Sequence, residues 1–427
     1  MSNPIFIARQ DTLEQEILPA HWLAQYKLFG EESYTFQDKG IWKKLCMSSA
    51  AANDRDIHAE ALEEMLTTFS AEHTGKWMLL VYGTNAAALE GLATMAAIAA
   101  NGTAMGAVVD NALLMHAIAN SETAMQRIAN SQTAMQRVAN NRGAMDAIGR
   151  SRIARDAVQA SPYYNSYIKE NDMAIAKLTV ALANLESAGY SGMAGVAADS
   201  TAMTAVAASS VARNAISASP YYDEKIKEND MAIAKLVVGF ANLESARYSG
   251  CAGMAADSTA MTAVAASSTA MTAVAASSTA MTAVAASGVA LKAIAQAYKK
   301  TANMLQFLKA VNASDTLVKR IYSTLTGATG LFGATQLGSQ DGVESANSWA
   351  TTSAASNAFL ACACGYYSSG GSSVNVTYNG TVIAQNKTGA KQPGSVTSTN
   401  VNAITMAPST FTENGDGWLA VQKFTAK

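Results

Sequence analysis

Residues 258–267 read STAMTAVAAS, and the same ten letters return at 268–277 and again at 278–287. Methionines also recur every ten residues from 95 to 145, and Ile or Val follows each of them three residues later. A fixed period over this much of a sequence indicates a repeat architecture. We therefore predict that these units form an array of like elements.

Each unit predicts a short helix. Ala and Met favour helix, and Ser is a good N-terminal cap because its hydroxyl accepts a backbone N–H. Because a helix turns by about 100° per residue, ten residues rotate the next methionine backwards by about 80°, so one straight helix cannot carry a single apolar stripe. We predict a break at each Ser-Ser or Asn-Ser pair between units. The predicted core of the repeats is Met261, Val264, Met271, Val274, Met281 and Val284.

Helices of this length cannot be stable alone, because helix nucleation is unfavourable. The units must therefore stack, either along one chain as a solenoid or against partner chains around an axis, and the pattern fits both. A disordered low-complexity tract is disfavoured, since apolar residues recur in phase along the array.

Two related segments interrupt the repeats, opening with SPYY at 161–164 and at 219–222. Ser followed by Pro predicts a helix start. Apolar residues then follow at the spacings of a coiled-coil seam; they are Ile168, Ile175, Leu178, Leu182 and Leu185, and then Ile226, Ile233, Leu236, Phe240 and Leu243. We expect each segment to form a helix of about 25 residues whose seam makes a homo-oligomer, with a trimer favoured. The alternative is that the seam packs on the repeats of its own chain.

Residues 1–90 form a distinct region. Apolar residues spaced three and four apart predict a helix from about Asp54 to Phe69, and the run Lys76–Tyr82 predicts a buried strand. His58 and the glutamates after it match no known metal-ligand spacing, so we place this histidine on a surface face of the helix. We expect a small α+β domain.

The composition changes again near residue 326. Helices are predicted from Ser287 through Leu308 and from Ser314 to Leu325, after which Gly, Ser, Thr and Asn dominate. Asn379-Gly380, between two β-rich runs, is a strong signal for a two-residue hairpin turn. With further strands at Phe359–Cys364 and Trp418–Phe424, residues 326–427 fit a β-sandwich. Tyr366, Tyr367 and Tyr378 are candidates for a surface-binding face.

Composition and charge exclude several classes of function. The net charge is −2 and there is no basic block, so we predict no nucleic-acid binding. We expect neither a signal peptide nor membrane insertion. The four cysteines, at 46, 251, 362 and 364, lack zinc-site spacing and are interpreted as buried free thiols. We predict no enzymatic activity, because paired catalytic carboxylates are not evident. We also predict no cofactor and no metal, since residues 326–427 have no His or paired Cys ligand set.

The repeats, their Ile-Ala-Arg-Asp-Ala and Val-Ala-Arg-Asn-Ala variants at 153–157 and 211–215, and the SPYY openings resemble tailed-bacteriophage fibre and appendage proteins. The resemblance covers about residues 91–298. It implies a homotrimeric structural protein of the virion, assembled in the cytoplasm of the host bacterium, with no catalytic residues to carry over.

The sequence thus favours a multi-domain α and β protein of three parts. Residues 1–90 would bind other virion proteins, residues 91–325 would form a helical repeat shaft, and residues 326–427 would form a tip that attaches to a host-surface glycan or protein. A capsid decoration protein, a head or collar fibre, and a bacterial surface adhesin remain alternatives. A glycan depolymerase is less favoured, because the tip has only four acidic residues and no long β-helix.

Overall fold

The computed structural model describes residues 55–67, 74–75, 78, 88–89, 91–341, 347–350, 357–366, 372–391, 395–406, 409–415 and 418–427. The described chain is mainly helical, with two sheets at its C-terminal end. The described residues divide into two compact units: those up to residue 196 with 214–221, and those of 197–213 with 222–427.

The described residues of the first unit form short helices. Those before its insertion are α1 (Arg55–Thr67), α2 (Met95–Ala100), α3 (Gly102–Asp110), α4 (Ala112–Ala119), α5 (Glu122–Ala129), α6 (Gln132–Ala139), α7 (Arg142–Arg150) and α8 (Arg152–Ala160). A π-helical turn (Tyr164–Lys169), α9 (Asp172–Leu182) and α10 (Met193–Ala198) follow, and α10 ends just beyond the division after Val196.

In the second unit, as in the first, repeat helices are followed by a π-helical turn and a longer helix. The helical elements of this unit are α11 (Ser200–Ala208), α12 (Ser210–Ala218), which runs across the division between the units, a π-helical turn (Tyr222–Ile226), α13 (Asp230–Phe240), α14 (Cys251–Ala256), α15 (Ser258–Ala266), α16 (Ser268–Ala276), α17 (Ser278–Ala285), α18 (Gly288–Gln296), α19 (Thr301–Asn312) and α20 (Asp315–Gly327).

Many of the helices pack on the third helix along the chain. In the first unit α2 packs on α5, α3 on α6, α4 on α7 and α5 on α8, and in the second α14 packs on α17 and α15 on α18. The chain bends by 101° between α3 and α4 and by 103° between α15 and α16. Three helices therefore complete one turn, and the stacking is made within a single chain.

Breaks between helices lie at the predicted Ser-Ser and Asn-Ser pairs, such as those that contain Ser267, Ser277 and Ser121. Ser267 has an extended backbone, and its hydroxyl accepts the N–H of Ala270, which caps α16. Ser277 caps α17 in the same way. The change of chain direction at each break thus compensates for the rotation of each methionine relative to the one ten residues before it. Each Met and Val of the predicted repeat core is buried.

The capping serines also join stacked helices. The Ser131 hydroxyl donates a hydrogen bond to the carbonyl of Ala99 at the end of α2, with 2.6 Å between the oxygens. Ser287 donates likewise to Ala255, again at 2.6 Å. One hydroxyl therefore accepts an N–H of the helix that it caps and donates to a carbonyl of the helix four places back. Both are backbone groups that a helix end leaves without an internal partner.

The two seams are buried by their own chain. Ile168, Ile175 and Leu178 of the first copy are fully buried, and so are their counterparts Ile226, Ile233 and Leu236. The remaining four seam residues, Leu182, Leu185, Phe240 and Leu243, are partly buried.

The expected helix of about 25 residues is not formed in either copy. Asn171 interrupts the first segment by accepting the N–H of Ala174 in a new helical start, and Asn229 interrupts the second in the same way. A helix of 11 residues follows in each copy. Apolar spacing identified the packed face, but it could not distinguish a partner chain from the chain itself.

Two fully buried lysines occupy equivalent places in the insertions. Lys177 on α9 pairs with Asp146 and donates to the carbonyl of Ser187 at 2.9 Å. Lys235 on α13 donates to the carbonyls of Ser245 and Ala246, but Thr204 stands where the first copy has Asp146, with 2.8 Å between Lys235 Nζ and its hydroxyl. Burial lowers the pKa of Lys235.

One contact between helices occurs in both copies, but its glycine lies on opposite helices in the two. In the first copy Gly149 faces Ala181, and a Cβ on Gly149 would lie 3.1 Å from the Cβ of Ala181. In the second copy Ala207 faces Gly239, where an added Cβ would lie 2.4 Å from the Ala207 carbonyl oxygen. Each contact therefore has one glycine, on opposite partners, which keeps the helix backbones close.

The C-terminal strands form two mostly antiparallel sheets. The strands are β1 (Phe332–Asp341), β2 (Asn347–Ala350), β3 (Ala358–Tyr366), β4 (Ser372–Tyr378), β5 (Thr381–Thr388), β6 (Ala390–Lys391), β7 (Ala403–Met406), β8 (Ser409–Gly415) and β9 (Trp418–Ala426). One sheet runs β1-β9-β3-β6, with β7 also on β3, and the other runs β2-β8-β4-β5.

The hairpin predicted at Asn379-Gly380 is confirmed. Tyr378 pairs with Thr381, and Asn379 and Gly380 have φ of 47° and 77°, as a two-residue turn with positive φ at both positions requires. The strands predicted at Phe359–Cys364 and Trp418–Phe424 lie within β3 and β9.

The sheets pack against the last helices of the second unit. Buried Asn312 on α19 exchanges two hydrogen bonds with the backbone of Ile404 on β7. The ring of Tyr322 on α20 meets Phe424 edge-on, with centroids 5.7 Å apart. The helix predicted from Ser287 through Leu308 is two helices, α18 and α19, whereas the one predicted from Ser314 is confirmed as α20, capped by the Ser314 hydroxyl.

Most of the predicted N-terminal α+β domain lies outside the described residues. Its predicted helix is confirmed as α1, but His58 is buried instead of lying on a surface face. Met78, which is described within the predicted strand, is helical. A short apolar run cannot by itself distinguish a strand from a buried helix.

The described cysteines, Cys251, Cys362 and Cys364, are buried, as predicted, and none forms a disulfide among the described residues. Burial raises the pKa of the Cys251 and Cys362 thiols, so both stay protonated in the folded chain. Cys46 lies outside the described residues. Within the described part of the chain, no single helix is both long and apolar enough to span a membrane, although three bent pairs of consecutive helices meet those criteria jointly.

Candidate functional site

The three tyrosines predicted as a binding face do not form one in the described residues. Tyr378 is buried, because alternate side chains of β4 point into the core. Tyr366 is partly buried at the end of β3, and Tyr367 lies outside the described residues. The candidate site is instead a polar pocket beside this hairpin.

The pocket lies where the start of α20, the end of β5 and the loop before β7 meet. Its volume is about 330 Å³. Amide, hydroxyl and charged groups dominate its lining, which consists of Asp315, Lys319, Asn386, Lys387, Thr388, Thr399, Asn400, Val401 and Asn402. We call this set the polar pocket.

A bulge shapes the β5 wall of the polar pocket. Val374 pairs with Lys387 and Val376 with Ala384, so β5 has one residue more than β4 over this stretch. Asn386, in the bulge, has φ of 50°, a left-handed conformation that Asn adopts more readily than most residues. The Asn375 side chain fixes it by accepting the Asn386 N–H at 2.7 Å.

The first turn of α20 provides the opposite wall. Asp315 follows the capping Ser314, and its carboxylate lies 2.7 Å from the ammonium of Lys387. The hydrogen bond from Lys387 lowers the pKa of the Asp315 carboxyl, and the nearby Lys319 lowers it further. Asp315 is therefore ionised at neutral pH, and the ion pair joins α20 to β5.

Asparagine amides hold the loop that forms the floor. Asn402 accepts the N–H of Cys364 at 2.7 Å and donates to the carbonyl of Thr388 at 2.9 Å, so it bridges β3 and β5. Asn400 accepts the N–H of Thr397 and donates to the carbonyl of Ser395. These side-chain hydrogen bonds hold the loop in place.

The charges of the polar pocket are unequal. Lys319 and Lys387 contribute two positive charges against the single carboxylate of Asp315. Lys319 is exposed, and its ammonium forms no ion pair with any residue in the described ranges. The pocket can therefore accept an anion at Lys319, while the amides and hydroxyls of its lining form hydrogen bonds with the other polar groups of the same ligand.

Nothing in the described ranges suggests a metal centre, since no group of three or more His, Cys, Asp or Glu side chains is placed to hold an ion there. The polar pocket was missed by sequence reasoning because Asp315 and Lys387 are 72 residues apart and belong to no motif. The one signal of the pocket in the sequence is the Asn- and Thr-rich composition around residues 386–402.

Comparisons with known proteins leave this geometry as the main guide to function. No protein-family model matches the chain, and no curated protein matches it.

Proposed function

We propose that this chain is a structural appendage protein of a tailed-bacteriophage virion. Residues 1–90 attach it to the particle, the decapeptide-repeat helices serve as a spacer, and the C-terminal β-domain attaches to the host surface. The observation that carries the proposal is the stacking of short, nearly identical helices, continued by a β-domain that has the polar pocket.

The helical array suits a spacer because its stabilising contacts are local and repeated. The helices α15, α16 and α17 bury their Met and Val against near neighbours, and stability in such arrays is roughly a sum of neighbouring terms. Such an array changes length by whole repeats. The outward Thr262, Thr272 and Thr282 are exposed, and small hydroxyl side chains keep the surface soluble.

The two C-terminal sheets, we infer, face each other as a sandwich. Val374, Val376 and Tyr378 alternate toward the interior along β4, and they belong to the same buried cluster as Phe359 on β3 and Trp418 on β9. Alternation on one sheet toward a core shared with another is typical of this architecture. The outward faces and the connecting loops are then free to bind.

The homo-oligomer, with a trimer favoured, stays a proposal. Its contacts must lie outside Ile168, Ile175, Leu178 and their counterparts, which the chain itself covers. The sequence-based alternatives of a capsid decoration protein and a bacterial adhesin have no observation in the structure that favours them.

Tags test the assignment of the two ends without disturbing the fold. A cut after residue 325 would leave Asn312 without Ile404 and expose Phe307, which packs on Phe359. We therefore propose an epitope tag after Lys427 or before Met1, with gold-labelled antibody and electron microscopy of the assembled particles. We expect label on particles from both constructions, farther from the particle surface with the C-terminal tag. Unlabelled particles, or a C-terminal label against the particle surface, would refute the proposal.

A further inference from the structure

We infer that the polar pocket binds an anionic saccharide, with the carboxylate or phosphate of the sugar at Lys319 and its hydroxyls at the neighbouring amides and hydroxyls. This inference rests on the proposed function, in which the C-terminal domain contacts a bacterial surface, and it names the chemistry of that contact.

The charges favour an anion. The Asp315 carboxylate is engaged by Lys387, so the charge of Lys387 is largely balanced. Lys319 lies one helical turn after Asp315 on α20 and remains unbalanced. An ammonium at the edge of a pocket is a point charge suited to a carboxylate or phosphate, and a charge-assisted hydrogen bond is stronger than a neutral one.

The lining favours hydroxyl groups around the anion. The Asp315 side chain is 75% exposed despite its ion pair, so its carboxylate can accept a hydrogen bond from a ligand hydroxyl. Asn386 and Thr399 are exposed at the rim, and each side chain can both donate and accept. A sugar ring presents hydroxyls in several directions, which matches such a mixed set.

The same lining disfavours other ligands. Val401 is the one apolar side chain in the lining, and no aromatic ring contributes to it. A nucleic acid would need rings for its bases to stack on, and an apolar peptide side chain would need an apolar recess. The volume of about 330 Å³ lies at the low end for small-molecule pockets, which suits a single charged sugar residue.

Titrations of the full-length protein with glucuronic acid, glycerol 3-phosphate and glucose test the inference. We expect both anions to perturb the NMR signals of residues in the polar pocket, and glucose to bind far more weakly. The variant Lys319→Gln should weaken glucuronate binding roughly tenfold, the effect of losing one charge-assisted hydrogen bond. The matched control Lys309→Gln removes an exposed lysine outside the pocket and should leave the affinity unchanged.

The phosphate and carboxylate arms distinguish the two sources of the anion. Binding of glycerol 3-phosphate alone would assign the pocket to a phosphate-bearing polymer and overturn the saccharide. Equal affinity for glucose and glucuronate, or equal affinity of Lys319→Gln and the unaltered protein, would overturn the inference altogether.

Adsorption of the full-length variants to host cells separates this inference from the proposed function. If the protein adheres and Lys319→Gln adheres equally well, the proposed function survives and the pocket assignment fails. If glucuronate binds at Lys319 but the protein does not adhere to cells, the pocket assignment survives and the surface role fails.

Discussion

Replacing Met271 by aspartate is expected to lower the free energy of unfolding by about 5 kcal/mol or more. Met271 is fully buried on α16, which packs on α13 and α19. Removing a buried methionine side chain alone costs roughly 2–5 kcal/mol. A carboxylate in its place adds the free-energy cost of removing a charge from water without giving it a partner.

The neighbouring Thr272 is the matched control, because it is exposed on the same helix. Thr272→Asp introduces the same residue one position along, and we expect a loss below about 1 kcal/mol, as is usual for surface substitutions. Urea unfolding followed by circular dichroism measures both. Equal losses would mean that Met271 is not in a packed core.

Replacing Asp146 by alanine is expected to destabilise the chain by about 3 kcal/mol, because it leaves the Lys177 ammonium buried without its counterion. Lys177 is fully buried, whereas the Asp146 side chain keeps 17% of its exposure. The two carbonyls at Ser187 and Ala188 remain as partners, which keeps the expected loss at the low end for such breaks.

The second copy of the segment supplies the control. Thr204 accompanies Lys235 where Asp146 accompanies Lys177, so Asp146→Thr reproduces an arrangement that the chain already contains. We expect Asp146→Thr to lose less stability than Asp146→Ala. The double variant Asp146→Ala with Lys177→Met should recover most of the loss, since no charge is then buried. Thermal unfolding of the variants measures this, and failure of the double variant to recover would contradict the assignment.

The sequence predicted most of the local structure, because local signals specify it. The Ser-Ser pairs marked helix ends through the serine caps, and Asn379-Gly380 marked the hairpin through positive φ. The burial of Met and Val followed from their shared helix face. These features depend on residues within a few positions of one another.

Features that depend on distant residues were not predictable. The seam around Ile175 and Leu178 has the spacing of a coiled coil, yet helices of the same chain cover it. The burial of Tyr378 depends on β-strand alternation relative to a core that forms between sheets. The polar pocket joins Asp315 to Lys387 through the fold alone. Sequence spacing cannot supply such pairings.

The short helices stack within one chain. Asn141, the cap of α7, donates to Asp110, the last residue of α3, with 2.9 Å between Nδ2 and Oδ1. Cysteines at both positions, in a Cys46→Ser background, can be joined by a short bis-maleimide linker in the folded protein. Denaturing electrophoresis and mass spectrometry of the peptides then identify the linked chains. We predict a linked product of single-chain mass at every protein concentration; products that join residue 110 of one chain to residue 141 of another would contradict the claim.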